Sequence, residues 1–272
     1  MSHTLAGRRV LVVGASSGVG RALAVRAVAD GAHVALAARS ADKLAATIEE
    51  AGGGAPIIAD LRRADECARI VSETITAIGV PDLVFVSAGS SSLRWIHHTD
   101  QDDWARAFET NVIGANLLFG ALQPHLAPGA IVAAVSSESV GNPRPGLVPY
   151  ASSKAALEES LRGWRNEHPH LRFTCVTIGA TMPTGFADTW EGDMLVEALN
   201  VWAAQGLAQA EMMEADHVAE MLAVTFATLL AMPGLGLEEL TLRSPAKAGA
   251  SNDDMLAWAA EHGAPDLPGA QQ

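Results

Sequence analysis

The sequence predicts an α/β fold, a doubly wound parallel sheet of about seven strands with helices on both faces. Three observations predict it. Apolar runs of strand length alternate with longer segments of helical period along almost the whole chain. The first such run ends in a glycine-rich turn that opens a helix, as parallel βαβ units begin. The 272 residues, 49% of them hydrophobic, supply enough core to cover a sheet on both faces.

Residues 9–13 read as the first strand, apolar and mostly β-branched from Val10 onward. Arg8 and Arg9 ahead of them imitate a secretion leader, which Gly14 cuts short. Residues 18–30 place Val19, Leu23, Val25, Ala27 and Val28 at helical spacings. Strand and helix then alternate: 33–38 and 41–51, 56–59 and 64–78, 83–86 and 102–126. A strand at 131–135, a helix from 149 to about 168 and a strand at 173–178 complete six strands. Residues 179–214 form a long mixed stretch punctuated by Pro183, Gly185, Gly192 and Gly206, after which a helix over 216–232 and a strand over 237–242 close the series. The expected organisation is one domain over 1–245, in which about 180–214 covers the strand ends, and a tail over 246–272 with one short helix.

Eighteen basic against thirty-one acidic side chains give a net charge of −13, which argues against a nucleic-acid partner. Cys67 and Cys175 lie far apart without a CxxC spacing, so neither a disulfide framework nor a zinc site is expected and the compartment reads as reducing. His97 and His98 lack a second ligand pair at helical spacing, so no metal site is expected. The longest apolar region, 218–230, is broken by Glu220 and shorter than the roughly 20 residues that span a bilayer. The expectation is a cytoplasmic protein with no membrane partner.

In a doubly wound sheet the ligand lies beyond the carboxyl ends of the strands, so the residues just after each strand carry the functional reading. The first strand is followed by Gly14-Ala15-Ser16-Ser17-Gly18-Val19-Gly20. Glycine is needed where the backbone turns tightly and lets a pyrophosphate approach main-chain N–H groups, and the dipole of the following helix favours the negative charge. The GxxxGxG spacing differs from the usual GxGxxG, and a turn that is merely glycine-rich is the plain alternative. The second strand ends Ala37-Ala38-Arg39-Ser40, with no acid for a ribose hydroxyl. Arg39, helped by Ser16 and Ser40, suits a 2′-phosphate; otherwise it is a solvated arginine opening the next helix. Asp60-Leu61 after the third strand offers an adenine contact or, through Asp60, a helix cap.

The chain's one tyrosine, Tyr150, stands four residues before Lys154, one of three lysines with Lys43 and Lys247. On a helix these two share a face, which sets an ammonium close to a phenol and should lower the phenol's pKa toward the range of a proton-transfer group. Ser136-Ser137-Glu138-Ser139 follows the fifth strand, either to bond a substrate oxygen or as a serine-rich turn. Asn111 is a buried amide or part of a proton relay.

With these residues in hand, the chain resembles the short-chain dehydrogenase/reductase family in its single-domain form, over roughly residues 7–245. The resemblance implies a Rossmann-like sheet with Gly14, Gly18 and Gly20 as cofactor glycines, Ser16, Ser17 and Val19 beside them, Asp60 and Leu61 at the adenine, and Ala88 and Gly89 along the cofactor. It makes Asn111, Ser137, Tyr150 and Lys154 the catalytic tetrad, with Ser139 the second choice of serine. In the family the lysine also holds the nicotinamide ribose, the serine orients the carbonyl, and the asparagine helps keep a water in the proton path. Two departures stand out. The usual Asn-Ala-Gly is Ser87-Ala88-Gly89, which should weaken local support of the sheet, and the usual Pro-Gly after the sixth strand is Ile178-Gly179. Gly179 with either Thr181 or Thr184 would then meet the carboxamide.

The implied function is an NADP(H)-dependent oxidoreductase, with NADP(H) ahead of NAD(H), that interconverts an alcohol and a ketone or aldehyde. The alternative is a dinucleotide-binding regulatory or scaffold protein of the same fold without turnover. The covering segment carries Met182, Phe186, Trp190, Met194, Leu195, Trp202, Met212 and Met213, either as an adaptable pocket for a small apolar substrate or as the packing of a surface helix. Phe108, Leu117, Leu118, Leu157 and Leu161 place apolar residues on more than one helix face. The family pairs these helices in a symmetric interface, which implies a homodimer or homotetramer.

Overall fold

The computed structural model describes residues 4–209, 211–245, 249, 251 and 254. In chain order the elements are β1 (Arg9–Val13), α1 (Gly18–Ala29), β2 (His33–Ala38), α2 (Ala41–Ala51), β3 (Ala55–Ile58), α3 (Ala64–Ile78), β4 (Leu83–Val86) and α4 (Gln101–Phe108). A π-helix, Glu109–Gly114, leads into α5 (Ala115–Leu122), β5 (Ile131–Ser137), α6 (Val148–Glu167) and β6 (Arg172–Ile178). The chain then forms β7 (Thr181–Met182), α7 (Gly192–Ala204), β8 (Met213–Glu214), α8 (Ala215–Ala231) and β9 (Glu239–Leu242).

Seven strands form one parallel sheet in the order β3-β2-β1-β4-β5-β6-β9. Its strands are apolar runs because both faces are covered. Val10 and Val12 of β1 enter a core with α1 and α8, while Leu11 and Val13 enter the opposite core with α3, α5 and α6. The order reverses between β1 and β4, and the crevice beyond their carboxyl ends is where such sheets hold a ligand.

The single helix expected over 102–126 is instead α4, a π-helix and α5. Asp100 and Asp103 start α4 with a reciprocal capping box. The π turn carries Asn111 and ends at Gly114, where a Cβ would lie 2.8 Å from the Leu61 carbonyl oxygen, so the widened turn meets the β3–α3 loop at backbone distance. The mixed stretch of 179–214 contains a helix, α7, as the packed-helix alternative for the cover implied, set on Leu93 and Leu147, and two short strands, β7 and β8. The last strand is shorter than expected: residues 237 and 238 give their carbonyls to Thr174 Oγ1 and the Cys175 amide before β9 begins. Both cysteines are free and buried, with thiols pushed up to about 11 chiefly by burial. The tail's expected helix falls largely outside the described residues; Gly249 N donates to Ala208 O at 2.7 Å. Among the described residues no helix is long and apolar enough to cross a membrane.

Candidate active site

The glycine turn is built by close backbone approach. Gly14 has φ +89, and a Cβ there would fall 2.4 Å from the Ala88 nitrogen. At Gly20 a Cβ would fall 2.2 Å from Ser87 Oγ and 2.4 Å from Gly14 O. Ser87 Oγ donates to the carbonyls of Val13 and Gly14 at 3.2 and 3.3 Å, so the serine ties β4 to β1 where its presence was expected to weaken the sheet. Ser17, the extended N-cap of α1, makes no side-chain cap, which leaves the first-turn N–H groups near Val19 and Gly20 to an anion.

At the end of β2, Arg39 is exposed and Ser40 caps α2 by accepting from Lys43 N at 3.4 Å. Asp60 does not cap α3, whose N-cap is Arg63. Its carboxylate is gripped by Arg62 at 2.6–3.0 Å, and that hydrogen bonding, with the Arg62 and Arg39 charges, holds it below the usual carboxylate range. Leu61 turns into the core, and its carbonyl accepts from Cys67 Sγ at 3.2 Å, so its side chain is not brought to the crevice. Ala88 bonds to Val13 O at 3.1 Å. A Cβ on the exposed Gly89 would lie in ordinary contact, 3.4 Å from Asn111 Oδ1 and 3.6 Å from Lys154 Nζ, so this backbone runs directly beside both side chains.

Asn111, Ser137, Tyr150 and Lys154 are buried together. The Asn111 amide accepts from Ser90 N at 2.8 Å and donates to Ser90 O at 2.9 Å and Ser153 Oγ at 2.8 Å. Ser153 in turn donates to Tyr150 O at 2.7 Å. Lys154 Nζ donates to Val135 O at 2.8 Å and lies 5.9 Å from the Tyr150 ring centre. Burial pushes the Tyr150 phenol up to about 12, against a hydrogen bond from Ser137 and the Arg144 charge, which pull it down. Burial lowers Lys154 to about 8, opposed by Cys175 and Glu158. The expectation that Lys154 lowers the phenol's pKa is therefore not met in this arrangement: desolvation dominates, and the ammonium is directed at the strand carbonyl. Ser137, rather than Ser139, is the serine whose hydroxyl pulls the phenol's pKa down; Ser139 N donates to Ser137 Oγ at 3.2 Å.

After β6, a Cβ on Gly179 would lie 2.9 Å from Glu138 Oε2. Thr181 Oγ1 turns back to Gly179 O at 2.9 Å, whereas Thr184 lies 3.3 Å from where a Gly18 Cβ would stand. Thr184, not Thr181, is thus the threonine set against the glycine turn. His97 and His98 are exposed, and no group of three potential metal ligands occurs among the described residues.

Several contacts around the site were not foreseen from the sequence. Ser91 Oγ donates to Phe186 O at 3.0 Å and accepts from Trp190 Nε1 at 3.3 Å. Phe186 stands edge-on to Tyr150 with ring centres 4.9 Å apart. Lys43 Nζ meets Asp188 Oδ2 at 2.8 Å. Glu138 and Arg144, the only charged residues between the start of β5 and Tyr150, pair at 2.5 Å, and Arg144 lies 5.8 Å from the Trp202 ring centre. Their opposite signs in an otherwise uncharged stretch were the available signal.

The family model described as short chain dehydrogenase matches residues 8–194. This chain belongs to the short-chain dehydrogenase family. Members are NAD(P)-linked oxidoreductases. Similar proteins include the glucose 1-dehydrogenase of Gluconobacter oxydans, 33% identical over 185 residues covering 64% of this chain and 70% of that protein. The glycine betaine reductase ATRR of Emericella nidulans is 32% identical over 65% of this chain, a match that spans 15% of that larger protein's length. A short chain dehydrogenase from Burkholderia cenocepacia, solved in complex with NADP, superposes with a TM-score of 0.75 at 25% identity, covering 91% of this chain and 100% of that one.

Proposed function

We propose that this protein is an NADP(H)-dependent oxidoreductase that interconverts an alcohol and a ketone or aldehyde, with Tyr150 as the proton-transfer group. One observation carries the reading: Tyr150, Ser137, Lys154 and Asn111 are buried together, with Lys154 on the helix face of the phenol and Asn111 linked to it through Ser153, beyond the strand ends that form the glycine turn. The uncapped first turn of α1 and the exposed Gly89, within contact distance of Asn111 and Lys154, fit a dinucleotide lying along these strand ends.

A bound nicotinamide dinucleotide supplies or accepts the hydride. Gly14, Ser16, Ser17, Gly18, Val19 and Gly20 would hold its pyrophosphate at the first turn of α1. Arg39 and Ser40 would take the 2′-phosphate, and Asp60 would contact the adenine. Ala88 and Gly89 would border the nicotinamide half, with Gly179 and Thr184 at the carboxamide and Tyr150 and Lys154 at the ribose. Ser137 orients the substrate oxygen. Tyr150 gives its proton to that oxygen in reduction and takes it back in oxidation. A phenol pushed up to about 12 is neutral at physiological pH, so the resting site is in the proton-donating form suited to reduction.

We read residues 1–245 as one cytoplasmic catalytic domain. The half-exposed Ile113, with Phe108, Val112 and Leu117 partly exposed near it, supports a symmetric dimer or tetramer through the α4–α5 face. The rival reading, a dinucleotide-binding regulator, draws on the Phe186 ring against the phenol. A panel of carbonyls with NADPH and of alcohols with NADP, followed by the absorbance of reduced nicotinamide, separates the two. Binding of NADPH with no oxidation across a broad panel would sink the enzyme reading.

A further inference from the structure

We propose that the Phe186 ring occupies the place of an aromatic ring of the substrate, so that the site takes aryl ketones or aldehydes and the corresponding benzylic alcohols. The proposal rests on the reading of Tyr150 as the proton-transfer group. A substrate oxygen has to reach the Tyr150 hydroxyl, and the side chain standing against that residue is Phe186, edge to face at 4.9 Å. On its other side Phe186 meets Trp190 edge to face at 5.0 Å, and Trp190 meets Trp202 at 6.4 Å. Phe186 is 37% exposed, so it closes the phenol from the solvent side rather than forming part of the interior.

The segment that carries Phe186 is held by contacts that can be exchanged. Ser91 Oγ donates to the Phe186 carbonyl, and the pair of Lys43 and Asp188 is exposed to water on both sides, where ion pairs contribute little. Substrate entry therefore replaces one occupant of the space by another. An aryl ring regains both edge-to-face contacts that Phe186 gives up, whereas a saturated ring of similar size fills the space and regains neither. Two such contacts set a preference of about tenfold to hundredfold for the aryl compound. Trp190, the ring behind Phe186, packs on the apolar cluster of Leu93, Leu147 and Trp202.

The test compares kcat/KM with NADPH for acetophenone and cyclohexyl methyl ketone in wild type, Phe186→Ala and Trp190→Leu. Wild type should prefer acetophenone by at least about tenfold, Trp190→Leu should cut that preference by about threefold or more, and Phe186→Ala should raise kcat/KM for both ketones. A second arm needs no turnover: calorimetric titration should show 1-phenylethanol binding Phe186→Ala more tightly than wild type, and more tightly than 1-cyclohexylethanol. Equal kcat/KM for the two ketones in wild type, or a fall for both in Phe186→Ala, overturns the aryl assignment and leaves carbonyl reduction standing. If no carbonyl is turned over, the reading of Tyr150 fails, and the binding arm decides alone: no gain in affinity for the aryl alcohol in Phe186→Ala overturns the proposal as well.

Discussion

A Cβ added at Gly14 or Gly20 would fall 2.4 Å from a backbone nitrogen or 2.2 Å from Ser87 Oγ; one added at Gly185, on the opposite wall, would fall 3.1 Å from Ser17 Oγ. The first wall, the glycine turn between β1 and α1, is fixed by backbone against backbone and by a Ser87 hydroxyl that is itself bonded to that backbone. The second, the cover over residues 180–214, reaches the turn and Tyr150 through side chains: Thr184, Phe186, Trp190 and the ion pair of Asp188 with Lys43. Backbone contacts leave no alternative arrangement, whereas side-chain contacts can be traded for those of a ligand. A site that grips an invariant cofactor and admits a variable substrate needs one wall of each kind.

The largest effect should come from removing what the two walls enclose. Tyr150→Phe keeps the ring against Phe186 and should lower turnover by 10²–10⁴, about 3 to 5 kcal/mol, with little change in cofactor affinity by titration. Next comes the charge beneath it. Lys154 is lowered to about 8 from an ordinary 10.5, so the cost of the buried ammonium is full below about pH 8 and fades as pH rises to 10.5. Lys154→Met should lose turnover yet melt higher than wild type at pH 7. The gain is on the order of 3 kcal/mol less the lost bond to Val135 O, and the gap should close between pH 8 and 10.5.

Gly20→Ala tests the rigid wall. The overpacking against Ser87 Oγ and Gly14 O should cost about 1 to 3 kcal/mol in denaturant unfolding and weaken dinucleotide binding. Arg39→Asp tests the rim of the same wall. It should move preference from NADP toward NAD by at least tenfold, about 1.4 kcal/mol, and unchanged NADP affinity would remove Arg39 from the site. Asp188→Asn, in the exchangeable wall, should change stability by less than about 1 kcal/mol, read as a nearly unmoved Tm. If Gly20→Ala and Asp188→Asn cost the same, the contrast between the walls is wrong.

The sheet was largely legible because strands buried on both faces read as unbroken apolar runs, as Val10-Leu11-Val12-Val13 and Leu83-Val84-Phe85-Val86 do. That Tyr150, Lys154 and Ser137 lie close together was legible too, since an i, i+4 pair and a register of residues ahead of it are local facts of sequence. The cover was not. The helix α7 owes its place to Leu93 and Leu147, distant in the chain, and its Gly192 start hides the period. The direction of the Tyr150 shift was also misread, because a neighbouring cation is visible in sequence and the depth of burial is not. Which threonine faces the glycine turn was likewise hidden, because Thr181 is held in the short pairing of β7 with β8.

The π-helix between α4 and α5 makes the length of this segment matter as much as its composition. It accommodates one residue more per turn than an α-helix would, and that surplus lets Asn111 face Ser90 and Ser153 while Leu118 and Phe119 still face the sheet. Chains that lose one residue between 109 and 114 could close the turn into ordinary α-helix, but the faces before and after it would rotate by about 100° relative to each other. The asparagine and the apolar face of α5 would then no longer point at their targets together. A conservative exchange of side chains in this turn should therefore be tolerated far better than a single-residue deletion, which would leave every nearby side chain chemically intact and misdirected.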